Sequence, residues 1–265
     1  MTRTAWTVAL LTGLAGPCLP AGLKGQARIP EVKTRGKTPC EIHPETAAET
    51  AELWLSAQAA LTGSAATDSN PPLLLVQKWR RTLGRGFNII YERRDTSLVA
   101  TRQPFFVKPP SNLERVGYIQ RMLQSVVFHG PDPDEIITER FLRQHCFHRV
   151  PGSGATQGLA GLAFDPLPQQ QNPDVSGILW IEPVGGALRS VEYGWTNPPY
   201  WADAGKAQGR TDFVRLAGGG WAIQRWYIRL PKPVAGSGFD FEGYSEEGGE
   251  LLAVGPPTPV KRKKS

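Results

Sequence analysis

Between residues 158 and 231, short apolar runs alternate with turn signals at near-regular spacing, and this pattern limits the chain to few folds. Residues 159–164 are followed by the break at 166–173. Residues 178–181 are followed by Pro183-Val184-Gly185-Gly186. Residues 188–195 precede a polar loop, 213–216 precede Gly218-Gly219-Gly220, and 221–230 close at Pro231. Short apolar segments punctuated by glycine and proline predict an antiparallel meander. No catalytic motif lies on it.

Upstream, residues 44–62 predict a helix. Pro44 suits a first helical turn, and Glu45, Glu49 and Glu52 gather toward the positive end of the helix dipole. Ala47, Ala51, Trp54, Leu55, Ala59 and Leu61 form an apolar stripe at helical spacing, and Gly63 is the expected stop. Residues 73–81 and 87–94 predict two strands joined by 82–86, with Arg93-Arg94-Asp95 ending the hairpin. A further strand at 97–102, a strand or short helix within 117–128, a helix over 135–145 and a glycine-rich loop over 149–157 follow. Beyond Pro231 only 250–254 suggests a strand. The expected architecture is α+β: a curved, half-barrel-like antiparallel sheet packed against one main helix, forming a single domain over 40–231. Residues 232–265 are expected to be a flexible Gly/Pro-rich basic tail.

Hydrophobic residues make up 40% of the chain, enough for a core. The net charge of +6 comes from the two ends. Residues 1–27 contribute Arg3 and Lys24 without acids, and Lys261-Arg262-Lys263-Lys264 contribute the rest, leaving 24 basic and 24 acidic residues between them. A nucleic-acid-binding domain normally shows a basic face on its body, so with a neutral body no nucleic-acid partner is expected. The N-terminus carries one positive charge at Arg3 and an apolar run over 5–16, with small-residue cleavage sites after Ala21 or Ala27. This predicts a cleaved secretory signal over 1–27, a linker over 28–39, and export to the periplasm or cell envelope. The run is too short to span a bilayer and no other segment is longer, so a transmembrane protein is not expected. Leu14-Ala15-Gly16-Pro17-Cys18 approaches a lipoprotein signal, from which Pro17 departs. Of Cys18, Cys40 and Cys146, signal removal leaves the last two. An exported even pair predicts a Cys40–Cys146 disulfide; two buried thiols are the alternative.

His145-Cys146-Phe147, Gly161-Leu162-Ala163-Phe164-Asp165-Pro166, Gly177-Ile178-Leu179-Trp180-Ile181 and Trp226-Tyr227-Ile228-Arg229-Leu230-Pro231 occur in that order, after Cys40, Trp54 and Ala60-Leu61. Over roughly 35–231 this resembles the C-terminal region of bacterial exported proteins described as carboxypeptidase regulatory-like domain-containing. In that family a small β-sandwich usually precedes the region; here only about 39 residues lie upstream. The label implies no peptidase activity. The meander also resembles, more loosely, the half-barrel of periplasmic lipoprotein-localisation factors. That likeness implies a curved sheet around a helix with an apolar cavity for acyl chains.

Chemistry-bearing residues are sparse. His145, Cys146 and His148 cluster, but zinc needs a second ligand group, and His129, Asp132 and Asp134 do not supply a known spacing. Neighbouring Cys146 and His145 point different ways on a helix or strand, which disfavours a nucleophile pair. Ser153 lacks the nucleophile-elbow pattern. Asp165, Asp174, Glu182 and Glu192 read as acids at strand ends. No catalytic residue, metal or cofactor is assigned. Trp180, Tyr193, Trp195, Tyr200, Trp201, Trp221 and Trp226 are the candidate contacts for a ligand or partner, against the alternative of core packing. Residues 197–201, with two prolines, are the expected exposed loop. The expected function is a non-enzymatic envelope module binding a lipid or other apolar ligand, or an envelope protein. A structural accessory domain without a ligand is the alternative, and a hydrolase comes third.

Overall fold

A computed structural model describes residues 44–65, 72–100, 113–123, 125–168, 172–216 and 220–257. The proposed signal, the linker and Cys40 lie outside the described residues.

Helix α1 (Pro44–Ala65) is followed by the hairpin β1 (Pro72–Leu83) and β2 (Ile89–Ala100). Then come α2 (Leu113–Val116), the short pair β3 (Ile119–Arg121) and β4 (Val126–Phe128), α3 (Pro133–Ile136) and α4 (Glu139–Gln144). The meander follows as β5 (His145–Pro151), β6 (Ala160–Pro166), β7 (Val175–Ile181), β8 (Leu188–Trp195), β9 (Gln208–Arg215), β10 (Trp221–Pro233) and β11 (Phe241–Pro257), with α5 (Tyr200–Ala204) between β8 and β9. These strands and the first hairpin make one nine-stranded open sheet in the order β2-β1-β11-β10-β9-β8-β7-β6-β5, and all its pairings are antiparallel. The α+β architecture is as expected. Helix α1 reaches strands from β5 across to β10, so the sheet wraps it.

Side chains alternate between the sheet faces. Leu162, Phe164, Val175, Leu179, Ile181, Leu188, Val191, Tyr193, Phe213 and Ile223 point toward α1. There they meet Ala57, Ala60 and Leu61, all essentially without exposure, in one core. The opposite face carries a small cluster of Ala163, Ile178 and Trp180 and, toward the other edge, buried Trp79, Leu83 and Tyr244. Glycine opposite an aromatic residue recurs on both faces of the sheet. Gly161 pairs with Trp180, Gly177 with Phe164, Gly209 with Tyr193 and Gly248 with Trp79. A Cβ on Gly248 would lie 2.5 Å from the Trp79 ring, and one on Gly161 would lie 2.7 Å from Trp180. The aromatic side chain lies across the bare backbone of its partner, which lets glycine occupy strand interiors it otherwise weakens.

Several boundaries differ from the sequence reading. Helix α1 continues through Gly63 to Ala65. Strand β2 runs through Arg93-Arg94-Asp95 to Ala100, absorbing part of the separate strand expected at 97–102. Residues 117–128 contain two short strands rather than one element. The helix expected over 135–145 is two short helices, and His145 already belongs to β5, which runs on into the loop expected over 149–157. Pro231 does not end the domain. Strand β10 continues to Pro233, with Pro231 opposite Tyr244, and β11 lies between β10 and β1. The segment reads as a tail because it is rich in glycine and glutamate. Gly248 lies beneath the Trp79 ring and Glu246 is neutralised by arginines from both neighbouring strands. Neither compensation is visible locally.

Candidate functional site

The seven aromatic candidates do not share one groove. Tyr193 and Trp195 sit on β8 facing α1, with ring centroids 5.6 Å apart and T-shaped. Trp195 donates its indole N–H to the His129 carbonyl at 2.8 Å and meets Phe128 edge-on at 5.2 Å. Trp201, Trp221 and Trp226 are partly buried against the same core. Trp180 is on the opposite sheet face, 1% exposed, and donates to Glu192 Oε2 at 3.1 Å. Six of the seven are thus largely packing residues, because period-two alternation on a half-buried sheet turns most large aromatics inward.

Tyr200 differs. The segment expected to be loop at 197–201 instead enters α5, whose first residues are Tyr200 and Trp201. Pro199 caps the helix, Asn197 adopts a left-handed φ of 51°, and Gly205 is packed so closely on Pro231 that a Cβ would approach it to 2.2 Å. The helix is therefore seated on β10. Trp201 turns inward and Tyr200 outward, 59% exposed. Tyr200 meets Phe239 edge-on at 5.2 Å, and Phe239 is 72% exposed. Phe239 lies in the β10–β11 turn, where the Ser237 hydroxyl accepts from the Phe239 and Asp240 amides at 3.3 and 3.1 Å and the Val234 amide donates to the Asp240 carbonyl at 3.1 Å. Sequence reading missed Phe239. Its signal was an aromatic residue isolated in a Gly-Ser-Gly-Phe-Asp turn, where no apolar neighbour explains burial.

The same end of the sheet carries further aromatic and cationic groups. Phe87, at a left-handed φ of 63°, stacks on Tyr244 at 4.8 Å, and Phe241 lies 5.4 Å from Tyr244. Arg85 and Arg229 lie over the Phe241 and Phe87 rings at 5.1 and 4.7 Å. Arg85 Nη2 also donates to Asp240 Oδ1 at 2.7 Å. A bulky residue at positive φ is held there by its surroundings. Here the surroundings are a ring stack and a guanidinium.

The titratable groups gather elsewhere. Tyr118, Glu135, Arg140, Gln144 and Asp174 line a cleft with room for about 10 Å³ of solvent, close to one water molecule. Burial pushes the Glu135 carboxyl up against the opposing hydrogen bond from Tyr118 and the nearby Arg140. Arg140 Nη2 donates to Glu135 Oε1 at 3.0 Å. Burial, reinforced by the Glu135 charge, also raises Tyr118. Glu135 Oε2 makes no hydrogen bond among the described residues. Behind the cleft, buried His145 stacks on Phe141 at 3.8 Å. Its Nδ1 lies 2.9 Å from the Phe141 carbonyl and its Nε2 lies 3.2 Å from the Val175 carbonyl and 3.4 Å from Asp174 Oδ1. Asp174 Oδ1 accepts from the Val175 amide at 2.7 Å. These contacts tie α4 to the start of β7. The room left is too small for an organic substrate.

Of the other acids, Glu182 pairs with Arg189 at 2.6 Å at the β7–β8 turn. Glu192 is not at a strand end: it lies mid-β8, buried between Trp180 and Arg210. Asp165 faces His148 at 3.7 Å, and burial raises its carboxyl. Cys146 and His148 lie two apart on β5 and so share the face away from α1, whereas His145 points toward it. Among the described residues no three His, Cys, Asp or Glu side chains converge as metal ligands, and no helix is long and apolar enough to cross a membrane. Comparison with protein-family models, curated proteins and solved structures finds no match for this chain.

Proposed function

We propose that this chain is a non-enzymatic, exported module of the cell envelope that engages a protein partner through the aromatic end of its sheet. The observation that carries the reading is the Tyr200–Phe239 pair. Both rings are more than half exposed, yet they are held edge to face by a seated helix and a hydrogen-bonded turn. Aromatic side chains that are already ordered lose little conformational freedom on binding, which is why they dominate interface energetics. The apolar-ligand alternative draws less support, because Ala57, Ala60 and Leu61 of α1 occupy the face where an acyl chain would lie. Export, which the pattern of residues 1–27 supports, and the Cys40–Cys146 disulfide are parts of the same proposal.

A photo-crosslinking amino acid placed at position 200 in the native host tests the reading. The expected result is a defined protein adduct, lost when Phe239→Ala is added. Val184, 89% exposed in the β7–β8 turn at the far end of β8, is the control position. Equal adducts at both positions, or adducts only with lipid, overturn the protein-partner reading.

A further inference from the structure

Strand β2 is an edge of the nine-stranded sheet, and among the described residues no strand pairs beyond it. Natural edge strands are usually short, interrupted by proline or bulges, or charged along their length. Strand β2 is 12 residues long and has none of the first three protections within Ile89–Ala100 except an irregular register beside Leu83. Its charges are confined to Glu92-Arg93-Arg94-Asp95. On either side Ile89, Ile90, Tyr91 and Leu98 are each more than half exposed.

We infer that β2 pairs antiparallel with β2 of a second copy of this chain, about a twofold axis through Arg94. The register selects this pairing. An antiparallel pair that keeps both sheet faces continuous must centre on a residue, so that opposed side chains project to the same side. Centring on Arg94 sets Arg93 opposite the partner's Asp95, twice by symmetry. It also sets Ile90 opposite the partner's Leu98 and Ile89 opposite the partner's Val99. Glu92 meets the partner's Thr96, and the two Arg94 side chains at the axis are each already bonded to Glu92 and Gln77 of their own subunit. The partner's Glu92 is the diagonal neighbour of each. Centring one residue earlier opposes Arg93 to itself and places Ile89 and Ile90 against Ser97 and Thr96. Centring one residue later opposes Asp95 to itself and Glu92 to Leu98. The Arg93 register offers Glu92 opposite Arg94 but no apolar pair, and the Arg94 register leaves Tyr91 opposite Ser97; of the three, the Arg94 register alone combines apolar pairs with an opposite-charge pair. A closed isologous pair also leaves the new edges equivalent and unable to extend further on this side.

Sedimentation equilibrium of the full chain, with Arg93→Glu as the key variant, tests this. Within its own sheet position 93 faces Arg80, so glutamate there gains an opposite charge and the monomer fold is not weakened. Across the axis it faces the partner's Asp95, twice. The wild-type chain is expected to show a reversible monomer–dimer equilibrium. Arg93→Glu should weaken it at least about tenfold, and the double variant Arg93→Glu with Asp95→Lys should restore it. Circular dichroism confirms that each variant is folded. A wild-type protein that is monomeric at every concentration overturns the inference. So does a dimer that Arg93→Glu leaves unchanged, or one that the double variant fails to restore. Because Tyr200 and Phe239 are untouched, neither outcome bears on the partner-binding reading.

Discussion

The Trp79 indole N–H donates to Glu246 Oε1 at 3.1 Å although the two residues are 167 positions apart. Arg81 Nη1 reaches the same oxygen at 3.1 Å, and Arg229 Nε and Nη2 reach Oε2 at 2.8 and 2.6 Å. Glu246 is 2% exposed, so its charge is tolerable only with this full set of donors. The arrangement locks β1, β11 and β10 together from the face away from α1. A second version of it, Trp180 and Arg210 on Glu192, joins β7, β8 and β9.

Removing Glu246 leaves Arg229 without its carboxylate partner and Arg81 with only Glu92, in a mostly buried setting. Glu246→Ala is expected to cost about 3–5 kcal/mol in urea unfolding. Trp79→Phe, which removes one donor and keeps the ring over Gly248, should cost about 1 kcal/mol. Equal losses for the two variants would contradict a dominant role for the arginine–Glu246 pairs over the single indole donor.

Gly248→Ala and Gly161→Ala force a methyl group against an indole ring. Each should destabilise by about 1–3 kcal/mol, read as a lowered thermal midpoint. Gly238→Ala, where a Cβ meets nothing within 4 Å, should be neutral or slightly stabilising. A neutral Gly248→Ala would contradict the close approach of Trp79.

Ending the chain at Asp240 removes β11 and leaves the β1–β2 hairpin with no strand beside it in the meander. No cooperative unfolding transition is expected from that protein. A sharp transition of native amplitude would restore the boundary at Pro231 suggested by the sequence.

Burial raises the Glu135 carboxyl above its ordinary value, despite Tyr118 and Arg140. The unfolded chain therefore releases this proton at lower pH than the folded one. In the interval between the two values the folded state binds more protons, so stability falls as pH rises through it. Glu135→Gln should remove that slope and gain stability relative to wild type as pH rises upward from the ordinary carboxylate range. Identical pH profiles for the two proteins would refute a raised carboxyl.

The proposed disulfide predicts that neither Cys40 nor Cys146 takes an alkylating label when the protein is unfolded without reductant. A bridge closing a loop of about 106 residues is worth about 4.7 kcal/mol in the chain-entropy model, so reduction should lower stability by an amount of that order. Labelling of both cysteines before reduction refutes the bridge.

The helix α1, the first hairpin and strands β6 to β10 were legible in the sequence because their signals are local. Apolar content and turn residues within a few positions mark each one, and β8 matches its expected bounds, Leu188–Trp195, residue for residue; the stripe expected on α1 was not its buried face, since Ala51, Leu55 and Ala59 are exposed and Ala57, Ala60 and Leu61 are buried. The aromatic residues were legible as important but not as sorted. Alternation and register, set by the whole sheet, send Trp180 to one face and Trp195 to the other, and leave only Tyr200 outward. Phe239, Tyr118 and Glu135 gained significance only when distant segments met. Strand β11 is the plainest case. A stretch dominated by glycine and glutamate favours a solvated loop on its own, because its bare backbone and its charges are costly to bury. It becomes a central strand when Trp79 covers its glycine and Arg81 and Arg229 compensate its charge. Local chemistry thus determined which segments of this protein form elements. Tertiary structure decided which polar segment joins the core sheet, because the groups that make its burial favourable lie on other strands.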